Sequence, residues 1–184
     1  MTKAKLLQPN LVLGGTVVNI TPEILRQHQL KGLVLDVDET LVPLKQSEIP
    51  EEVLTWVKNI RQVASLWLVS NNISETRIGG IAKKLDIPHI ASARKPSRKK
   101  LRQAVQSMDL PTEKVAMVGD RLLTDVLAGN RLGMFTILVE PMVDPDAIRH
   151  YHLRNFEVWL SQLFKVSLVN SQQNLNKADK SSSN

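Results

Sequence analysis

Cysteine is absent from the 184-residue chain. No disulfide or thiolate metal site can hold the fold, and any metal must take oxygen or histidine ligands. The histidines His28, His89, His150 and His152 fall in no recognisable metal-ligand arrangement. No stretch approaches the ~20 apolar residues that a membrane span needs. The opening MTKAKLLQPN is not followed by the apolar core and small-residue cleavage site of a secretory signal. No internal repeat is evident. These absences predict a soluble, cytoplasmic protein in a reducing compartment, attached to a membrane at most at its surface.

What is present is positive charge and aliphatic bulk. The formal net charge is +6, the sequence pI is near 9.7, and 42% of residues are hydrophobic. That suffices for one well-buried core but not for two full-sized domains. A basic balance favours phosphate-bearing partners, whether nucleic acid, an anionic lipid surface or a small polyanion, though moderately basic proteins are also common.

Short runs rich in Val, Ile and Leu, namely Gly32 to Val37, Leu66 to Ser70, Val115 to Gly119 and Met134 to Val139, alternate with helical patterns at Pro50 to Val63, Ser74 to Leu85, Ser97 to Met108 and Leu122 to Leu132. A weaker strand is expected around His89 to Ala91, and a short helix opened by Thr21-Pro22 and ending near Gly32. Continuous apolar runs between helices predict an α/β, three-layer Rossmann-like parallel sheet with helices on both faces. One domain over residues 1–166 is expected, with an N-terminal extension and a C-terminal amphipathic helix containing Ile148, Phe156, Trp159 and Phe164, which packs on protein or lies at a lipid interface. The polar tail, residues 167–184, is expected to be disordered.

Four strand ends carry chemistry. The first is Asp36-Val37-Asp38-Glu39-Thr40, whose aspartates Asp36 and Asp38 lie where an open parallel sheet places its ligands. Unpartnered, they would be costly to bury; a cation or a phosphoryl group held with one relieves that cost. The second is Val115 to Gly119 followed by Asp120 and Asp125. Asp120 alone reads equally well as a helix N-cap, but with the first segment it makes a hard oxygen donor set suited to Mg2+. The third is Ser70-Asn71-Asn72, able to hold phosphate oxygens although such a triplet is more often only a turn. The fourth is Ala93-Arg94-Lys95-Pro96, whose lysine can neutralise a transferring group or be merely solvated.

In this order the four segments resemble the haloacid dehalogenase (HAD) superfamily. Lys31-Gly32-Leu33, Ser70-Asn71-Asn72, Ala93 to Pro96 and Gly119 to Arg131 look like the YqeG group of its subfamily IIIA, from about Leu6 to Leu163. The resemblance implies a magnesium-dependent phosphatase. Asp36 would be the nucleophile that becomes an aspartyl phosphate, and Asp38 the general acid and base. Ser70 and Lys95 would bind phosphoryl oxygens, Thr40, Asn71 and Arg94 would contact substrate or order its loop, and Asp36, Asp38 (through its carbonyl), Asp120 and Asp125 would serve the metal. The chain carries Glu39 where the group commonly has Asn, which bears on local orientation and not on reaction class.

The gaps from Thr40 to Ser70 and from Ser70 to Lys95 leave no room for an inserted cap domain, so the site is expected to be open. An open site admits a phosphate on something large. Relatives of the group include phosphatidylglycerophosphate phosphatases, and Arg94, Lys95, Arg98, Lys99, Lys100 and Arg102 could face an anionic membrane or simply form a solvated face. A phospholipid monoester is therefore the leading expectation. The alternatives are a soluble phosphate ester or phosphoprotein, or a non-catalytic RNA-binding or assembly module; the motif set disfavours nucleic acid as partner. The oligomeric state is left open.

Overall fold

A computed structural model describes residues 5–44 and 46–142. The chain divides at Asp144/Pro145. The expected C-terminal helix and polar tail lie outside the described residues.

The described part is a six-stranded, all-parallel sheet with helices on both faces. The strands are β1 (Leu11–Val12), β2 (Gly32–Leu35), β3 (Ser65–Val69), β4 (His89–Ile90), β5 (Val115–Gly119) and β6 (Phe135–Leu138), in spatial order β1-β6-β5-β2-β3-β4. Helices α1 (Pro22–Gln27), α2 (Glu51–Ile60), α3 (Glu75–Leu85), α4 (Lys99–Ser107) and α5 (Leu127–Leu132) connect them. The expected α/β architecture is the observed one.

Side chains alternate across each strand. Leu33 and Leu35 of β2, with Leu66, Leu68, Ala116 and Val118, meet Val53, Trp56, Val57 and Ile60 of α2 and Ile78, Ile81 and Leu85 of α3. Val34, Val69 and Met117 point the other way, against Leu101, Ala104 and Val105 of α4 and Ala128 of α5. Every residue of β2 and β5 is buried, which is why these strands read as unbroken apolar runs rather than alternating ones.

Local chemistry sets the helix starts. The Thr21 hydroxyl accepts from the Ile24 N–H, with Pro22 at the first helical position, and Ser74 accepts from the Arg77 N–H to open α3. The Trp56 indole, buried in α2, donates to the Ile20 carbonyl at 2.8 Å, so its one polar atom is satisfied. Helix α1 ends at Gln27, earlier than the sequence suggests. Strand β1, which pairs only with β6, is too short for a periodic signal.

Register aligns the carboxyl ends of the strands. Leu35 lies beside Leu68 on one flank and Val118 on the other, and the Asp36 N–H continues the ladder to the Val118 carbonyl at 2.9 Å. The residues just beyond β2, β3 and β5 therefore converge.

The close approach of α5 to the sheet depends on Gly129. A Cβ there would lie 2.6 Å from Thr136 Cγ2 and 2.9 Å from Met117 Cβ, well inside van der Waals contact. Gly129→Ala should destabilise the fold by about 1–3 kcal/mol through overpacking, despite alanine's better helix propensity. A drop in the denaturant midpoint at unchanged slope is the expected reading.

Candidate active site

At the carboxyl edge of the sheet, the buried ammonium of Lys95 lies 2.9 Å from Asp36 Oδ1 and 2.7 Å from Asp125 Oδ1. These are ion pairs by distance rather than well-directed hydrogen bonds. Asp36 and Asp125 are themselves buried.

Lys95 gets there by a tightly specified loop. Ser92 and Arg94 adopt left-handed backbone (φ 51° and 55°), an uncommon conformation for residues with a Cβ. The Ser92 and Ala93 N–H groups donate to the Asn72 and Ser70 carbonyls. The Asn71 side-chain amide then grips the Lys95 backbone from both sides. Its Oδ1 accepts from the Lys95 N–H at 2.6 Å and its Nδ2 donates to the Lys95 carbonyl at 3.0 Å. Asn71, expected to contact substrate, has both side-chain polar atoms engaged in this clamp.

Asp125 arrives by a different device. Leu122–Val126 forms one π-helical turn between β5 and α5, a wider turn that is frequent at functional sites. Asp125 Oδ2 accepts from the Arg121 N–H at 3.2 Å. A Cβ on Gly119 would lie 2.4 Å from that same oxygen, so the carboxylate fits under the strand end only because residue 119 is glycine.

Asp36, Asp120 and Asp125 each offer a carboxylate oxygen, all within 4.8 Å of one another. Asp36 and Asp125 share the buried Lys95 ammonium, while Asp120 lies 3.6 Å from Arg121 Nε. Burial first, then the neighbouring carboxylates, push Asp120 up to about 7. Burial, opposed by Lys95 and reinforced by Asp125, raises Asp36 to about 6. Burial alone would lower Lys95, but Asp125 and Asp36 outweigh it and hold the ammonium charged. A crowded set of oxygen donors with too little positive charge fits a hard divalent cation.

Asp38 stands outside this cluster. Its carboxylate pairs with Arg77 Nη1 at 2.7 Å and accepts from Asn72 Nδ2 at 3.0 Å. Arg77 also donates to the Gln46 carbonyl. Two acids separated by one residue thus have different counter-ions. Arg77 was not singled out from sequence, yet a cation in the first turn of a helix opposes the helix dipole, and that misfit was the available signal.

The remaining expected residues are placed as follows. Ser70 is fully buried, its Oγ accepting from the Asn72 N–H at 3.0 Å. Thr40 is buried and makes a long 3.5 Å contact to Asp120. Glu39, in left-handed backbone, pairs with Arg121, and Arg121 Nε lies 3.6 Å from Asp120. Arg94 is exposed to solvent.

A phosphatase of the HAD class has this arrangement of acids and lysine on parallel strand ends. The HAD-hydrolase-like family model matches residues 92–157. Over 131 residues the chain is 39% identical to the probable phosphatase YqeG of Bacillus subtilis (strain 168), covering 71% of this chain and 76% of that one. An uncharacterized protein from Listeria monocytogenes serotype 4b superposes with a TM-score of 0.51 at 16% identity, over 67% of this chain and 86% of its own, a likeness of fold alone. The chain belongs to the YqeG group of HAD-superfamily phosphatases.

The raised acids give the metal-free protein a pH signature. Well below their ordinary value of 3.8, Asp36 and Asp120 are protonated whether folded or unfolded. Between there and about pH 7 the folded state keeps protons that the unfolded state has released, so stability falls as pH rises. In chelator, the melting temperature should carry a component that declines from pH 4 to pH 7, and Asp120→Asn should flatten it.

Proposed function

We propose that this chain is a magnesium-dependent phosphomonoester hydrolase that works through an aspartyl phosphate on Asp36. The observation that carries the reading is the Asp36 carboxylate at the strand end, held by Lys95 beside Asp120 and Asp125.

Asp36 attacks phosphorus while the bond to the leaving oxygen breaks, and Asp38 gives that oxygen its proton. Water then attacks the aspartyl phosphate, Asp38 takes the proton back, and phosphate leaves. Arg77 and Asn72 hold the Asp38 carboxylate, so reaching the leaving oxygen requires it to move off Arg77. Lys95 and Ser70 bind phosphoryl oxygens, and Asn71 positions Lys95. Asp36, Asp120 and the Asp38 carbonyl would hold the metal, with Asp125 serving chiefly to anchor Lys95. Mg2+, when bound, supplies charge neutralisation for the transferring phosphoryl group.

For the substrate we favour a phospholipid monoester such as phosphatidylglycerophosphate, met at a membrane surface. The support is architectural. Only the loop, α2 and β3 separate Thr40 from Ser70, and only α3 and β4 lie between Ser70 and Lys95, so neither gap contains a capping domain. Among the described residues no helix is long and apolar enough to cross a membrane.

Phosphate release should require Mg2+ and be abolished by chelator. Asp36→Asn should lower turnover by at least about 1000-fold while keeping the fold, as judged by circular dichroism. Activity without Mg2+, or activity unchanged in Asp36→Asn, contradicts the mechanism. A panel pairing phosphatidylglycerophosphate with soluble monoesters tests the substrate; preference for a soluble ester removes the lipid reading and leaves the chemistry intact.

A further inference from the structure

Five large apolar side chains stand exposed among the described residues, and three of them share one end of the sheet. Leu44 (50% exposed) lies in the loop after β2, Ile73 (86%) in the loop after β3 and Leu123 (67%) in the turn after β5. These loops belong to three adjacent strands and are the ones that carry Asp38, Ser70 and Asp120. Aliphatic side chains held out in water around an open site contribute nothing to the protein's own core.

Positive charge adjoins this rim. A groove of about 730 Å³ is lined, among the described residues, by Arg98, Lys99, Arg102 and Arg131 with Gln103 and Gln106, and by no carboxylate of theirs. None of the four cations is in a salt bridge among the described residues. Two are pre-set by backbone contacts: Arg98 Nη1 donates to the Arg131 carbonyl at 3.0 Å, and Arg131 Nη1 to the Pro96 carbonyl at 3.2 Å. Pro96 directly follows Lys95 in the chain, so one cation of the groove is tied to the loop that delivers the lysine.

We propose that these loop tips and this groove form a docking surface for an anionic lipid bilayer, with Leu44, Ile73 and Leu123 entering the interface and the cations meeting headgroup phosphates. Apolar tips combined with neighbouring cations are the requirements of an interfacial anchor. Single-stranded RNA would call for aromatic platforms on which bases stack, and among the described residues the groove has none. The proposal rests on the reading above that the catalytic site lies at this edge.

The test is co-sedimentation of the full chain with vesicles of phosphatidylcholine, with and without phosphatidylglycerol, beside turnover of the soluble ester p-nitrophenyl phosphate. Binding should require the anionic lipid. It should weaken about tenfold or more in Ile73→Asp/Leu123→Asp and again in Arg98→Glu/Arg102→Glu, with soluble-ester turnover within about twofold of the parent as the check on folding. Equal binding to neutral vesicles, unaltered binding by both variants, or a loss confined to binding of a short RNA overturns the docking surface. If vesicle binding follows the expected pattern but no ester is hydrolysed, the phosphatase mechanism fails and the docking surface stands.

Discussion

The ammonium of Lys95, buried between Asp36 and Asp125, is the interaction on which the arrangement of the strand ends depends. Removing a charge from water costs several kcal/mol unless partners compensate, and here the compensation is distributed over three loops. The Asn71 amide fixes the lysine's backbone, the left-handed residues Ser92 and Arg94 turn the chain inward, and the π-helical turn with Gly119 admits Asp125 beneath β5. Each feature is costly or unusual by itself and explicable as part of delivering one cation.

The Lys95 ammonium, with Arg121 3.6 Å from Asp120, does not fully offset three crowded, buried acids. Burial first, and repulsion from neighbouring carboxylates after it, raises Asp36 and Asp120, and a divalent cation would relieve both. Asp38 escapes the imbalance because Arg77 and Asn72 serve it separately. Two acids so close in sequence thus sit in different electrostatic surroundings, Asp36 against Lys95 and Asp38 against Arg77.

Much of this was legible in the sequence because it follows from period and position. The four main strands are unbroken apolar runs, and the observed limits of β2, β3, β5 and β6 fall within a residue or two of those expected. Thr21-Pro22 and Ser74 cap as their chemistry requires. The acids and Lys95 could be placed on strand ends, since register then brings strand ends together. What was not legible is what loops do once folded. Asn71 as a clamp, Lys95 shared between two acids, and the pairing of Arg77 with Asp38 across 39 residues depend on backbone turns with no periodic signature. The same holds for the rim: Leu44, Ile73 and Leu123 look like ordinary aliphatic residues until the fold places them around one edge.

The central claim is that Asp36 carries the phosphoryl group, and the most direct measurement is reductive trapping of the protein during turnover. Borohydride converts an acyl phosphate of aspartate to homoserine, which peptide mass spectrometry locates. Homoserine is expected at position 36 only when both substrate and Mg2+ are present. Homoserine at another acid, or none while phosphate is being released, would contradict the claim.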